Sequence, residues 1–349
     1  MHKISQNSIS VFINKVPIFG LILITFFGCE KPDKRYLLPP KPNDSIVVTQ
    51  LDLGENYENQ IYVNLLDRST IKSNVKYDSW DLAFECGGNG TRIFMNGGKG
   101  VLIGSIGREK EPGRFNQSVN LSQVKWRWDE ASGGDSIVLN RWLDQFHHSY
   151  DSVYIIDRGM ESEPGKRYFQ FKLNFGLFGF DDYFINVADL QGKNLFIAII
   201  HKDPSKNLVF MDFGKPALLN FEPYKQDWHI CFMRYRYVYH EFKPPLLYTV
   251  TGININPKTV CVAIDSTLRF ENLNLNDVKN LKYSNKRDAI GFEWKVYDFT
   301  QGRYITRKHV TYIIKTEGAQ EFYYKLRFTD FYNNKGLKGS PKYEICRIK

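Results

Sequence analysis

Trp80-Asp81-Leu82-Ala83-Phe84-Glu85 is written a second time, with changes, as Trp228-His229-Ile230-Cys231-Phe232-Met233-Arg234-Tyr235. In both stretches a Trp, an aliphatic residue and a Phe fall at i, i+2 and i+4. Side chains alternate faces along a strand, so this spacing predicts one buried face carrying all three. The surroundings recur as well. Ile61 to Leu65 precedes the first copy, and Leu208 to Gly214 precedes the second. Val153-Tyr154-Ile155-Ile156 and Tyr168 to Leu173 follow the first. Thr311-Tyr312-Ile313-Ile314 and Phe322 to Phe328 follow the second. Trp80 and Trp228 are 148 residues apart, and Tyr154 and Tyr312 are 158 apart. Landmarks kept in one order at nearly one offset predict two diverged copies of a β-domain.

The strand signals between these anchors are short and separated by Gly- and Pro-containing turns, with almost no helical periodicity. Phe270 to Lys282 alone suggests a short helix. The expected fold class is therefore all-β, as two similar antiparallel domains in tandem. The chain is expected to divide into 1–28, 29–45, 46–203 and 204–349, with His201 to Lys206 as the turn between the domains. Residues 1–28 form an export signal. His2, Lys3 and Lys15 make its start positive, and Pro17 to Phe27 is apolar but shorter than the ~20 residues a membrane span needs. Gly28-Cys29 closes that run as in bacterial lipoprotein signals, which makes Cys29 the expected lipidated residue. Residues 29–45 carry four prolines and read as an extended tether.

The 349 residues are 42% hydrophobic and 15% aromatic, enough for two ordinary cores. The net charge of +9 is spread over alternating strand positions, and no nucleic-acid motif accompanies it. Cys86, Cys231, Cys261 and Cys346 lack CxxC spacing, which argues against zinc; either disulfides or buried thiols remain open. The glycine-dense stretch 86–107 contains Gly98-Lys99, but a strand-like run follows it where a phosphate loop needs Ser or Thr opening a helix. Neither a nucleophile elbow nor a zinc-protease motif is present. Asp181 and Asp182 are adjacent and cannot act as an acid–base pair. An enzyme is not expected.

Three stretches resemble the HmuY family. They are Thr311 to Tyr332 with Gly336 to Gly339, Asp227-Trp228 to Tyr235, and Trp80-Asp81-Leu82-Ala83-Phe84 with the glycines after it. That resemblance implies an all-β lipoprotein of Bacteroidetes, on the outer membrane. It also implies haem as ligand and a TonB-dependent outer-membrane receptor as partner. The family's axial ligands are two His, with Met in some members. One of those His lies five residues after a Trp, where this chain has Trp142 and His147, with His148 next to it. In the second copy the corresponding residue after Trp294 is Phe299. Met95 and Met160 are the thioethers available as a further ligand. His229, on the strand face opposite Trp228, is expected to be solvated. The competing reading is a surface protein that binds a glycan, a peptide or a receptor through Trp126 and Trp128, helped by avidity between two copies.

Overall fold

The computed structural model describes residues 45–87, 90–108, 115–134, 137–146, 148–150, 152–175, 182–318 and 320–349, all within one unit spanning Pro40–Lys349. The export segment and Cys29 lie outside the described residues. Two five-stranded sheets form the outside. One runs β1 (Val47–Gln50), β20 (Lys338–Ile348), β19 (Tyr323–Tyr332), β18 (Thr311–Thr316), β15 (Val260–Asp265). The other runs β10 (Phe196–His201), β9 (Asp182–Ala188), β8 (Tyr168–Phe175), β7 (Ser152–Asp157), β6 (Leu102–Arg108). Two four-stranded sheets lie inside. These are β14 (Leu246–Ile255), β13 (Ile230–Tyr239), β2 (Ile61–Val63), β3 (Thr70–Lys72), and β12 (Ala217–Leu219), β11 (Leu208–Asp212), β4 (Leu82–Glu85), β5 (Ile93–Met95). A hairpin of β16 (Lys295–Asp298) and β17 (Arg303–Thr306) stands apart, and among the described residues every strand pairing is antiparallel. Phe270 to Lys282 yields only one helical turn, α1 (Leu275–Val278), held by a capping box between Asn274 and Asp277.

Side-chain alternation explains the layering. Along β2, β4 and β5 and at the start of β13 both faces are buried, because each inner sheet packs an outer sheet on one side and the other inner sheet on the other, while the edge strands β3 and β12 stay exposed. Ile61, Val63, Ile230 and Phe232 pack into one outer core with Tyr312, Leu326 and Phe328. Leu82, Phe84, Val209 and Met211 pack into the other with Ile156, Phe171 and Tyr183. The intervening residues Tyr62, Cys231, Ala83 and Phe210 meet in a third core between the inner sheets. Each buried aromatic or branched side chain contributes about 1.5–3 kcal/mol through burial.

Trp80 and Trp228 depart from the expected face. Both sit in the third core, opposite Leu82–Phe84 and Ile230–Phe232. The strands begin at Leu82 and Ile230, so strict alternation does not reach back to either Trp. Both indole N–H groups are buried with no hydrogen-bond partner among the described residues.

The boundary at 203/204 does not separate two bodies. β11, from the expected second domain, pairs with β4 of the first. β1 and β2, from the expected first domain, pair with β20 and β13. The connectivity itself nevertheless occurs twice. One round runs from β4 to β12; the other runs from β13 to β20 and is completed by β1 to β3 at the opposite end of the chain. Val209 faces Phe84 as Ile61 faces Phe232. Phe171 faces Tyr154 as Leu326 faces Tyr312. Asn96 donates to the carbonyls of Tyr77 and Trp80, and Asn256 to those of Lys225 and Trp228. Trp80 and Trp228 therefore occupy equivalent places.

One such pair of positions carries different chemistry. Fully buried Asp81 accepts the Phe213 N–H at 2.8 Å, Lys99 Nζ at 2.7 Å and Arg158 Nε at 2.7 Å. Its counterpart His229 is buried rather than solvated, and its Nδ1 accepts the Leu65 N–H at 3.1 Å. Burial pushes its pKa down to about 4, so the ring is neutral and carries its proton on Nε2. Cys86, Cys231, Cys261 and Cys346 are buried thiols, with no disulfide among the described residues.

Candidate ligand-binding cleft

β13 and β14 pair over their whole length, but β2 covers only Ile230 to Phe232. The remainder continues as a two-stranded ribbon with Tyr235, Arg236 and Val238 buried. Alternation along a ribbon places Tyr237 opposite Tyr248 and Tyr239 opposite Leu246. The aromatic rings interlock: Tyr237 meets Tyr239 at 5.0 Å and Phe292 at 4.9 Å, and Tyr239 meets Tyr248 at 6.2 Å. The β16–β17 hairpin forms the facing wall, where Tyr297 pairs with Tyr304 at 5.2 Å. Tyr304 packs on Phe331 at 5.5 Å and its N–H donates to the Tyr332 hydroxyl, fixing the hairpin to β19.

Between the walls lies a cleft of about 830 Å³. Tyr57, Tyr77, Tyr239, Tyr248, Phe292, Tyr297 and Tyr304 give it aromatic sides. Arg234, Lys295, Arg307 and Lys338 give it positive charge, against Glu161 and Glu293. The Arg234 guanidinium lies 3.8 Å above the Tyr77 ring, whose hydroxyl donates to Glu161. Burial of Tyr77 pushes its phenol up to about 12, and burial drives Tyr57 and Tyr304 up too, so these phenols stay neutral and able to donate hydrogen bonds. Lys295 is the most unusual member. It is buried, donates to the Thr251 carbonyl, and sits 4.5 Å from the Trp294 ring and 5.1 Å from Phe331. Loss of solvent pushes its pKa down to about 7, while the ring faces favour the cation and work against that shift.

Of the two histidines expected as ligands, the described one, His148, does not line the cleft. His147 is outside the described residues. His148 is 77% exposed in its side chain, with Nδ1 3.3 Å from Asp144 and its ring 6.3 Å from Phe146. Trp142 and Trp294 are both fully buried and both start a short hairpin. Phe299, the counterpart of His147, is 88% exposed at the tip of the β16–β17 hairpin. Met95 is packed in a core and unavailable as a ligand; Met160 is exposed. Trp126 and Trp128 are half-buried, Trp126 against Tyr168. Among the described residues no group of three His, Cys, Asp or Glu could hold a metal ion, and the cleft lining contains no His, Met or Cys. The sequence signal for the cleft is the aromatic density of residues 235–248, from which Tyr239 and Tyr248 reach the lining.

Comparison with known proteins gives a family match. The family model described as HmuY protein matches residues 56–345. No curated protein matches. A solved structure described as a HmuY-like heme-binding protein from Bacteroides vulgatus ATCC 8482 is 15% identical, covering 40% of this chain and 83% of its own, at a TM-score of 0.21.

Proposed function

Because the chain belongs to the HmuY family, we propose that it is a surface-displayed binding lipoprotein that captures a flat, acid-bearing ligand of the haem class. Cys29 carries its lipid anchor, and a TonB-dependent receptor takes the ligand onward. The observation that supports this reading is the cleft, where seven aromatic rings and four cationic side chains surround one volume. Aromatic walls suit a planar macrocycle, and Arg234, Arg307 and Lys338 suit its carboxylates. Lys295 at the cleft floor holds an ammonium with no carboxylate within ion-pair distance among the described residues, so an incoming carboxylate is its natural counter-charge.

The fit is to the macrocycle and its acids. An iron centre, when bound, supplies Lewis acidity toward imidazole, thioether or phenolate donors. The cleft lining has neither of the first two, and its phenols resist ionisation. The cleft residues therefore recognise ring faces and carboxylates without holding the metal. Absorbance titration with haemin and with metal-free protoporphyrin tests this. Both should bind, and Tyr304→Ala and Arg234→Ala should weaken both at least tenfold. A haemin response with no porphyrin response would overturn it.

One observation favours a second reading. Asp144 lies on the Nδ1 side of His148 and leaves Nε2 facing solvent, the arrangement that orients imidazoles toward metals. Haem held at the 142–150 hairpin by His147 and His148 would lose its Soret shift in His147→Ala or His148→Ala. A cleft ligand would be indifferent to both.

A further inference from the structure

A second pocket, remote in chemistry from the aromatic cleft, opens at the rim of the third core, where the two inner sheets meet. It encloses about 290 Å³ and is lined by the ends of β4, β11 and β14 and by the loops 132–134 and 256–258. It exists only because strands from both rounds of the fold come together there.

Its charges are unevenly satisfied. Glu85 is paired with Arg92 through contacts of 2.7 and 3.0 Å. Glu222 is buried and spends one carboxylate oxygen on the N–H groups of Asn207 and Leu208, both at 2.9 Å. Arg287 has no such arrangement. Its backbone is fixed on both sides, donating to the Ser132 carbonyl at 3.1 Å and accepting from the Ile255 N–H at 2.7 Å. Its guanidinium lies 4.6 Å over the Phe94 ring. Among the described residues no carboxylate comes within ion-pair distance of it and no side-chain hydrogen bond reaches its five donors; buried Glu222 meets its charge only at longer range. Gly133, at φ +65°, closes over this side chain; a Cβ there would meet Arg287 Cδ at 2.5 Å. Lys258 and Lys286 line the same pocket without an ion-pair partner among the described residues. The Lys258 backbone is set by Asn256, whose side chain accepts its N–H at 3.1 Å. The indole N–H of Trp228, buried and partnerless, belongs to a side chain that also lines the pocket.

A half-enclosed guanidinium with its fork unused is costly unless an acceptor fills it. Flat bidentate acceptors match it best. We propose that this pocket binds a small oxyanion, carried on a carboxylate or phosphate metabolite, with Arg287 as the central contact and Lys258 and Lys286 at the rim. The volume admits a fragment-sized ligand and excludes a macrocycle, so this site is independent of the haem-class reading.

The test uses the mature chain, thermal melting and isothermal calorimetry. The probes are citrate and inorganic phosphate, with sodium chloride at matched ionic strength as control. Saturable stabilisation by citrate, phosphate or both, absent with chloride, is expected; which one responds assigns the carboxylate or the phosphate class. Arg287→Met, which keeps the stacking on Phe94, should weaken the responding anion at least tenfold. Should that variant fail to fold, the rim double variant Lys258→Ala/Lys286→Ala should weaken it several-fold at an unchanged melting temperature without anion. Failure of both anions to saturate, or undiminished binding in the variants, would overturn the proposal. Haemin binding plays no part in either result.

Discussion

Replacing His229 by Asn separates a buried histidine's hydrogen bond from its titration. The Asn side-chain oxygen can stand near the position of Nδ1 and accept the Leu65 N–H, as the Asp81 carboxylate accepts the Phe213 N–H at the equivalent place. Burial, offset only in part by Asp67, holds the folded-state pKa of His229 at about 4, against its ordinary 6.5. The unfolded chain therefore takes up the proton first as pH falls. Stability contributed by the neutral ring is complete above about 6.5 and drains away between there and about 4. At about 1.4 kcal/mol per pH unit the loss is about 3 kcal/mol. Glu222 and Asp129 work in the opposite direction, since burial pushes them up to about 7 and about 6, but they are common to both proteins and cancel in the difference. Urea unfolding at pH 7 and at pH 4 measures it. The wild type should lose about 3 kcal/mol more than His229→Asn across that interval. Parallel losses in the two proteins would show that the ring is not neutral in the fold and would refute the assignment of its tautomer.

Asp81→Asn leaves the Lys99 and Arg158 cations short of a buried counter-charge and should cost about 3–5 kcal/mol, read as a lower urea midpoint. Lys295→Met should raise stability at pH 7 by about 2 kcal/mol, because it removes a buried ammonium. Its advantage should shrink as pH rises from 7 toward 10.5, where the unfolded wild type also gives up its proton; an advantage that grows over that range would contradict the burial argument. Trp294→Ala, beneath the cleft and stacked on Phe328 at 4.2 Å, should cost about 3–5 kcal/mol in chemical denaturation. Phe299→Ser, at the exposed hairpin tip, should change stability by no more than about 0.5 kcal/mol in the same assay.

Local pattern carried the strands well. Ile61–Leu65, Val153–Ile156 and Phe322–Phe328 were legible because apolar residues at strand spacing have few alternatives, and the shared order of landmarks reflects matching registers. Partner choice was not legible. Val47-Val48 reads as the opening of a first domain, yet it pairs with Ile345 and Glu344, because alternation specifies a face and not a neighbour. The same limit misplaced Trp80 and Trp228, whose orientation depends on where strand geometry begins. His229 looked solvated because nothing in the sequence says that an inner sheet is covered on both sides. The tyrosines of the cleft were visible as a run, but their convergence depends on the β16–β17 hairpin folding back over the ribbon. His148 was visible as a residue and lies away from that convergence.

The pairing of β1 with β20 bears on how the protein is made. The first of the described strands finds its partner only when the last of them has been made, and β2 likewise waits for β13. Contacts spanning nearly the whole described chain form slowly. The nascent polypeptide thus keeps an open strand edge until β20 has been made, a condition poorly suited to early collapse.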